Sequence, residues 1–180
     1  MIKWVDQSPK LELPSLDSWL SETAGASLLV ITKPTLLVRS AVREQVLAHL
    51  RQSDLEQGGL LLGRAFCSPH HPVAMVIVET AVAARESAAT AISLRMQSTV
   101  WSEARELMQP GQRIVGWYHS HPGIGAFFSQ TDRDTQAAFF RNTYSVGWVL
   151  DPLARGLPHS QCAFLGADAT EIPILELAAP

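Results

Sequence analysis

A mixed α/β sheet with helices packed against it is the fold class this sequence predicts, and three observations lead there. Two apolar runs of strand length, "GGLLLGRAF" and "VAMVIVETAV", follow each other with only the loop "CSPHHP" between them. Stretches with helical spacing of apolar residues, of which "AVREQVLAHLRQS" is the clearest, separate other such runs. The resulting order β, α, β, β, α, β, α, β, β fits one mixed sheet better than separate strand and helix layers.

Residues 1–26 carry Pro9, Pro14 and Gly25 with weak periodicity and read as an extension ahead of a domain spanning 27–180. The stretch "SLLVITKPTLLVRS" holds two short apolar runs broken at Lys33-Pro34 and leads into a helix whose Val42, Val46, Leu47 and Leu50 share one face. "GGLLLGRAF" and "VAMVIVETAV" then predict a hairpin. Ala84 to Ala91 is small and polar enough for a loop, and "STVWSEARELM" has helical spacing closed by Pro110-Gly111. "RIVGWYHSH" predicts a strand, "DRDTQAAFFRN" a helix and "YSVGWVLDP" a strand ending at Asp151-Pro152. "HSQCAFLG" and "TEIPILEL" each read as one further strand.

Composition narrows the function classes. A chain of 180 residues, 47% apolar, suffices for one hydrophobic core. Its 14 basic and 17 acidic side chains, with no basic run, lack the electrostatic footprint of a nucleic-acid binder. Two cysteines do not build a disulfide framework and suit a reducing compartment. The N-terminal stretch has no signal-peptide core, and "AGASLLVI" is too short to span a bilayer. The expectation is a soluble, cytoplasmic protein that acts on neither nucleic acid nor membrane.

Against only 17% charged residues, "GWYHSHPGIGAFFSQTD" is dense in polar chemistry. On a strand, His119 and His121 project from one face and Ser120 from the other, which makes a two-nitrogen pincer. A catalytic zinc takes three protein ligands and keeps one open position. Asp132, eleven residues after His121 and beyond a Pro-Gly-Ile-Gly turn, stands in the first turn of the next helix as the candidate third ligand. Amide hydrolysis also needs a group that moves a proton to the leaving nitrogen, and Glu56, at the mouth of "GGLLLG", is the candidate. Ser129 can donate to a developing oxyanion. Plainer readings stand beside these: an HxH pair can be structural, Ser129 and Asp132 form a capping-box pattern, and Glu56 can be a surface residue at a helix end.

Taken together, His119-Ser-His121-Pro followed by Ser129 and Asp132 resembles the HSHPx6Sx2D signature of the JAMM (MPN+) metalloproteases. Upstream, Glu56-Gln-Gly-Gly-Leu-Leu-Leu-Gly63 is similar to that family's E-x-x-G-x-x-x-G strand, and "VGWVLDP" to its strand ending in Asp-Pro. The resemblance runs from about Ser27 to Leu165. It implies the JAMM/MPN (cytidine-deaminase-like) fold with a curved mixed sheet, and one catalytic zinc ion held by His119, His121 and Asp132. It further implies Glu56 as general acid and base and Ser129 on the carbonyl or oxyanion. The implied activity is isopeptidase or peptidase cleavage after the C-terminal tail of a ubiquitin-like protein. Only "LARGLPHSQ" separates Asp151-Pro152 from the next strand, where some deubiquitinases carry a larger insertion that binds the distal ubiquitin. This points to a compact prokaryotic-type member acting on a ubiquitin-like or sulfur-carrier protein, with a homodimer or partner protein left open.

The rival class is a non-catalytic MPN-type scaffold, which usually lacks metal ligands, whereas all five matching positions are present here. A RadC-like role in DNA repair fits the acidic balance poorly. Cys67, His70, His159 and Cys162 would form a second zinc site if their loops met. Trp117 shares the histidines' face, and of Phe127 and Phe128 one is expected to anchor the turn and the other to face a substrate tail. Arg85, Glu86 and Arg95 flank the segment where that tail would lie.

Overall fold

A computed structural model describes residues 12–22, 31–84, 98–154 and 160–177. Its elements are α1 (Leu16–Glu22), β1 (Thr35–Arg39), α2 (Ser40–Leu50), β2 (Gly58–Phe66), β3 (Met75–Ala83) and α3 (Ser98–Leu107). They continue with β4 (Arg113–Ser120), α4 (Gln130–Phe139), β5 (Val146–Leu150), β6 (Gln161–Leu165), β7 (Thr170–Ile172) and β8 (Ile174–Leu177). The predicted hairpin is β2 and β3, antiparallel. Arg85, Glu86, Arg95 and His159 lie outside the described residues, as does most of the Ala84 to Ala91 stretch.

The unbroken apolar runs of β1 and β3 are explained by cover on both faces. Leu36 and Val38 of β1 pack with Val42, Val46 and Leu50 of α2, while Leu37, between them, points the other way with Met75 and Ile77. Leu16 and Trp19 of α1 close that second face, and Trp19 meets Phe66 at 6.0 Å between ring centroids. Helix α1 is absent from the sequence reading. Leu16, Trp19 and Leu20 do have i, i+3, i+4 spacing, but Pro14 and the weak periodicity around them mask it.

The strands form one eight-stranded sheet in the order β7-β6-β5-β4-β2-β3-β1-β8. "TEIPILEL" is two strands, not the single one its sequence suggests. Pro173 divides it, lacking the N–H that a continuous ladder requires. Strand β7 pairs with β6 and β8 with β1, so the two edge strands of the sheet are neighbours across one residue. Leu36 N–H donates to the Pro173 carbonyl at 2.9 Å, which ties the two ends together. The sheet is therefore strongly curved and nearly closed.

One irregularity aims the strand that matters most. The register of β2 against β4 shifts between Leu61 and Leu62, opposite Gly116. A bulge of this kind re-aims the side chains beyond it. Val115 faces the α2 layer, whereas Trp117, two residues on, faces the α3 and α4 layer. Gly116 has φ of +156°, and a Cβ there would come within 2.0 Å of the Val146 carbonyl oxygen. Strand β4 then runs through a loop and α4 to the parallel strand β5, and its carboxyl end is where ligands gather in α/β sheets.

Candidate metal centre

Past the bulge, alternation along β4 places Trp117 and His119 on the α4 side, and His121 continues that face just beyond the strand. His121 N–H donates to the Leu150 carbonyl at 2.9 Å, so the second histidine is still tied to β5. Helix α4 brings in the third group through its own N-terminus. The Ser129 hydroxyl accepts from the Asp132 N–H at 3.2 Å, and Asp132 Oδ2 accepts from the Ser129 N–H at 2.7 Å and from its hydroxyl at 2.6 Å. This capping box spends one carboxylate oxygen on the helix end and turns the other toward the histidines.

The three side chains are 2%, 1% and 1% exposed for His119, His121 and Asp132. His119 Nε2 lies 3.2 Å from His121 Nε2 and 3.0 Å from Asp132 Oδ1, and His121 Nε2 lies 3.6 Å from Asp132 Oδ2. Two ligands held about 2.0–2.1 Å from one tetrahedral ion sit roughly 3.3 Å apart, close to the spacings His119 Nε2 makes with His121 Nε2 and with Asp132 Oδ1, and one ligand atom from each of the three residues lies within 4.8 Å of the others. Asp132 Oδ1 is buried without a hydrogen-bond donor, a cost that a bound cation would offset. Two imidazoles and a carboxylate are a zinc-type donor set. No other such group of metal-ligating side chains occurs among the described residues.

Electrostatics fit that reading. Burial pushes the Asp132 carboxyl up, but the His119 ring and the Ser129 hydroxyl and N–H outweigh it and leave the pKa below the usual carboxylate range. Burial and the neighbouring His119 lower His121, against the pull of Asp132, which favours the neutral ring that metals bind. Glu56 arrives from the turn before β2, with Oε1 3.9 Å from His121 Nε2. Burial, reinforced by Asp132 and opposed by His119, raises its pKa. A carboxyl shifted upward is better matched to proton transfer near neutrality.

The aromatic side chains divide as the sequence reading expects. Trp117 is buried and also serves the site, its ring stacked on His119 at 4.6 Å and 9°. Phe128 is buried against Trp117 and Phe164, whereas Phe127 is 46% exposed and covers the His121 ring at 4.5 Å. Two supporting residues escape the sequence reading. Gln136 is fully buried, accepts from Trp117 Nε1 at 2.6 Å and donates to the Ser145 and Gly166 carbonyls. Its signal is a polar residue four positions after Asp132, on the same helix face.

Asp151 is the other. Its carboxylate accepts the N–H groups of Gly123 and Leu153 at 2.9 Å, Gly125 at 2.8 Å and Ala154 at 3.2 Å. Burial raises its pKa, but these four donors prevail and lower it. Gly123 and Gly125, at φ +76° and +84°, supply the left-handed turns that point both N–H groups at one carboxylate. The loop after His121 is thus pinned to the end of β5.

Among the described residues the second zinc site is not formed, since Cys67 and Cys162 are not brought together. Cys162 stands in the cross-sheet row Gly58, His119, Val149, Cys162, while Cys67 lies nine positions along from Gly58, roughly 30 Å at strand rise. Cys67 donates to the Leu13 carbonyl at 3.2 Å. Burial, with Glu171 and Asp132 adding to it, pushes the Cys162 thiol up to about 12, so it stays protonated.

Residues 39–155 match the family model for prokaryotic homologues of the JAB domain. The chain belongs to this JAMM/MPN family. It is similar to the ubiquitin carboxyl-terminal hydrolase RPN11 of Saccharomyces cerevisiae, 34% identical over 128 residues, covering 68% of this chain and 40% of that protein. It is also similar to the NAD(+) hydrolase TcpA of Theionarchaea archaeon, 34% identical over 128 residues, covering 67% of this chain and 36% of the relative. The chain therefore spans less than half the length of either. The solution structure of protein DSY2949 from Desulfitobacterium hafniense shares the fold, with TM-score 0.58 and 24% identity over 80% of this chain and 94% of that one. No helix among the described residues of this JAMM/MPN chain is long and apolar enough to cross a membrane.

Two outcomes follow from the geometry. The purified protein is expected to hold about one zinc per chain by elemental analysis, and His119→Ala to lose it. Asp151→Asn is expected to unfold at lower urea at pH 7, by about 1–3 kcal/mol, with chelator present in both samples. Because the Asp151 pKa is lowered in the folded state, its contribution is present above the unfolded value of about 3.9 and is lost as pH falls through the folded one. The gap between wild type and variant should hold from pH 7 to 5 and shrink below about pH 4, and a gap that widens there would contradict the assignment.

Proposed function

We propose that this JAMM/MPN chain is a zinc metalloprotease that hydrolyses the isopeptide or peptide bond after the C-terminal tail of a ubiquitin-like or sulfur-carrier protein. The observation that carries the reading is the convergence of Glu56 on the buried His119, His121 and Asp132 group from a separate turn. A scaffold needs no such base, and Glu56 at that depth is costly unless it works. Relatives named as ubiquitin hydrolases support the substrate class.

When bound, zinc polarises a carbonyl oxygen and makes water more acidic. His119, His121 and Asp132 hold the ion, and burial keeps their ring and carboxylate atoms in fixed positions. Glu56, with one side facing His121 and a quarter of its side chain open to solvent, takes a proton from the attacking water. It then delivers that proton to the leaving nitrogen, so the amide bond breaks without an amide anion leaving. Ser129 is proposed to serve the developing oxyanion. In the resting protein its hydroxyl donates to Asp132 Oδ2, so this service requires the hydroxyl to turn. Exposed Leu55, Ile124 and Phe127 are the apolar surface offered to an extended tail.

Incubation with isopeptide-linked di-ubiquitin and with ubiquitin-like fusions tests the proposal, with cleavage expected to stop on chelation and return with zinc. Glu56→Gln should abolish turnover while zinc content stays at wild-type level, and retained turnover would remove Glu56 from the role of base. Ser129→Ala should cost about 1 kcal/mol of stability as a lost helix cap and lower kcat by roughly two powers of ten. A full-rate Ser129 variant would leave that residue as a cap alone.

A further inference from the structure

We propose that Ser120, the residue between the two histidines, is a positioning residue that holds the Glu56 base at the metal centre by bracketing the backbone of Gln57. This rests on the role proposed for Glu56 above. Glu56 is in the turn ahead of β2, outside any regular element, so its placement depends on how the next residue is anchored. Gln57 is that residue, and Gly58 after it is already paired with His119.

Ser120 holds Gln57 from two sides. Its hydroxyl accepts the Gln57 N–H at 2.9 Å, and its own N–H donates to the Gln57 carbonyl at 2.9 Å. The same hydroxyl reaches that carbonyl at 3.4 Å. Ser120 is fully buried, so an apolar side chain there would strand the Gln57 N–H in a half-buried position. A third anchor comes from α2. The Gln57 side chain bonds the His49 ring, and His49 Nδ1 meets the Tyr118 hydroxyl at 3.0 Å.

The arrangement uses both faces of one strand. Trp117 and His119 look toward the metal, whereas Tyr118 and Ser120 look toward α2 and the turn that carries the base. The ligands and the clamp on the base are therefore set by the same strand at one-residue spacing. Glu56 Oε1 lies 3.9 Å from Nε2 of His121, the residue after Ser120.

The test uses the zinc-loaded full chain and the variants Ser120→Ala and Ser120→Thr, read by hydrogen exchange of the Gln57 amide, by chelator competition and by di-ubiquitin cleavage. Ser120→Ala is expected to speed Gln57 exchange by about tenfold or more, with zinc affinity within about twofold. It is expected to lower kcat about tenfold at unchanged KM. Threonine, which keeps the hydroxyl, should restore protection and rate. Should its extra methyl unfold the protein, Ser120→Cys adds less bulk than threonine, keeps a weaker acceptor and should fall between serine and alanine. Unchanged Gln57 exchange in the alanine variant overturns the proposal whatever the turnover. A large loss of zinc affinity overturns it too, by making Ser120 a support for the ligands. Absence of cleavage by the zinc-loaded wild type would overturn the hydrolytic reading, full turnover in Glu56→Gln would overturn the role of Glu56 and this proposal with it, and an inactive Glu56→Gln beside a fully active Ser120→Ala would overturn this one alone.

Discussion

A carboxylate that is 1% exposed has to be held by something other than water, and the structure around Asp132 is arranged by that requirement. One oxygen is satisfied by the first turn of α4, through the N–H and hydroxyl of Ser129. The other faces the His119 ring, with Nε2 at 3.0 Å. Because the capping box fixes Asp132 relative to the helix axis, the placement of α4 sets the shape of the metal centre. That placement is itself secured by Gln136, one turn further on, which ties α4 to β4 through Trp117 and to the Ser145 and Gly166 carbonyls. Trp117 closes the circuit by stacking on His119. A single helix thus delivers a ligand and, four residues later, braces the partner ligand.

The sheet supplies the opposite kind of constraint. A strand cannot slide by one residue without exchanging its faces, so the bulge at Gly116 is decisive for which groups meet. Beyond it, β4 lies between β2 and β5 and is hydrogen-bonded to both. Ligands built on such a strand are more precisely placed than ligands on a loop. The loop that follows is restrained by a different device, the Asp151 carboxylate, which gathers four backbone N–H groups from both sides of the site's rim. Phe127 and Ile124, carried by that loop, are exposed without being untethered.

How much of this was legible in the sequence depends on the distance over which each signal acts. The β2 and β3 hairpin, α2 and the β4 to β5 crossover are marked by local periodicity and by Gly and Pro, and they were readable. The HxH alternation was readable for the same reason, since two residues on a strand always share a face. Glu56, 63 positions before His119 in the chain, is marked as the candidate base by its place at the mouth of an apolar strand, and resemblance to a family strengthens its link to the histidines. Helix α1 was missed because its three apolar positions, Leu16, Trp19 and Leu20, have meaning only against Leu37, Phe66 and Ile77 of distant strands. The division at Pro173 was missed because each half of "TEIPILEL" alternates acceptably, and only closure of the sheet sends the halves to opposite edges. Gln136 and the hydroxyl of Ser120 carry no motif. Their roles come from burial, which a sequence does not display.

These constraints also explain why the ligands and the base are built differently. His119 and Asp132 are buried and packed by Trp117 and by a helix cap, which suits the ligand roles proposed for them. In its proposed role Glu56 would reach two positions, a water and a leaving nitrogen, and it is on a turn with a quarter of its side chain open. A base on a free turn would spend most of its time elsewhere, whereas a base on a strand would not reach both atoms. Anchoring the neighbouring residue instead, by N–H, carbonyl and side chain of Gln57, fixes the root of Glu56 and leaves its three-carbon reach intact. The fold thereby leaves one partly exposed carboxyl beside the buried His119, His121 and Asp132.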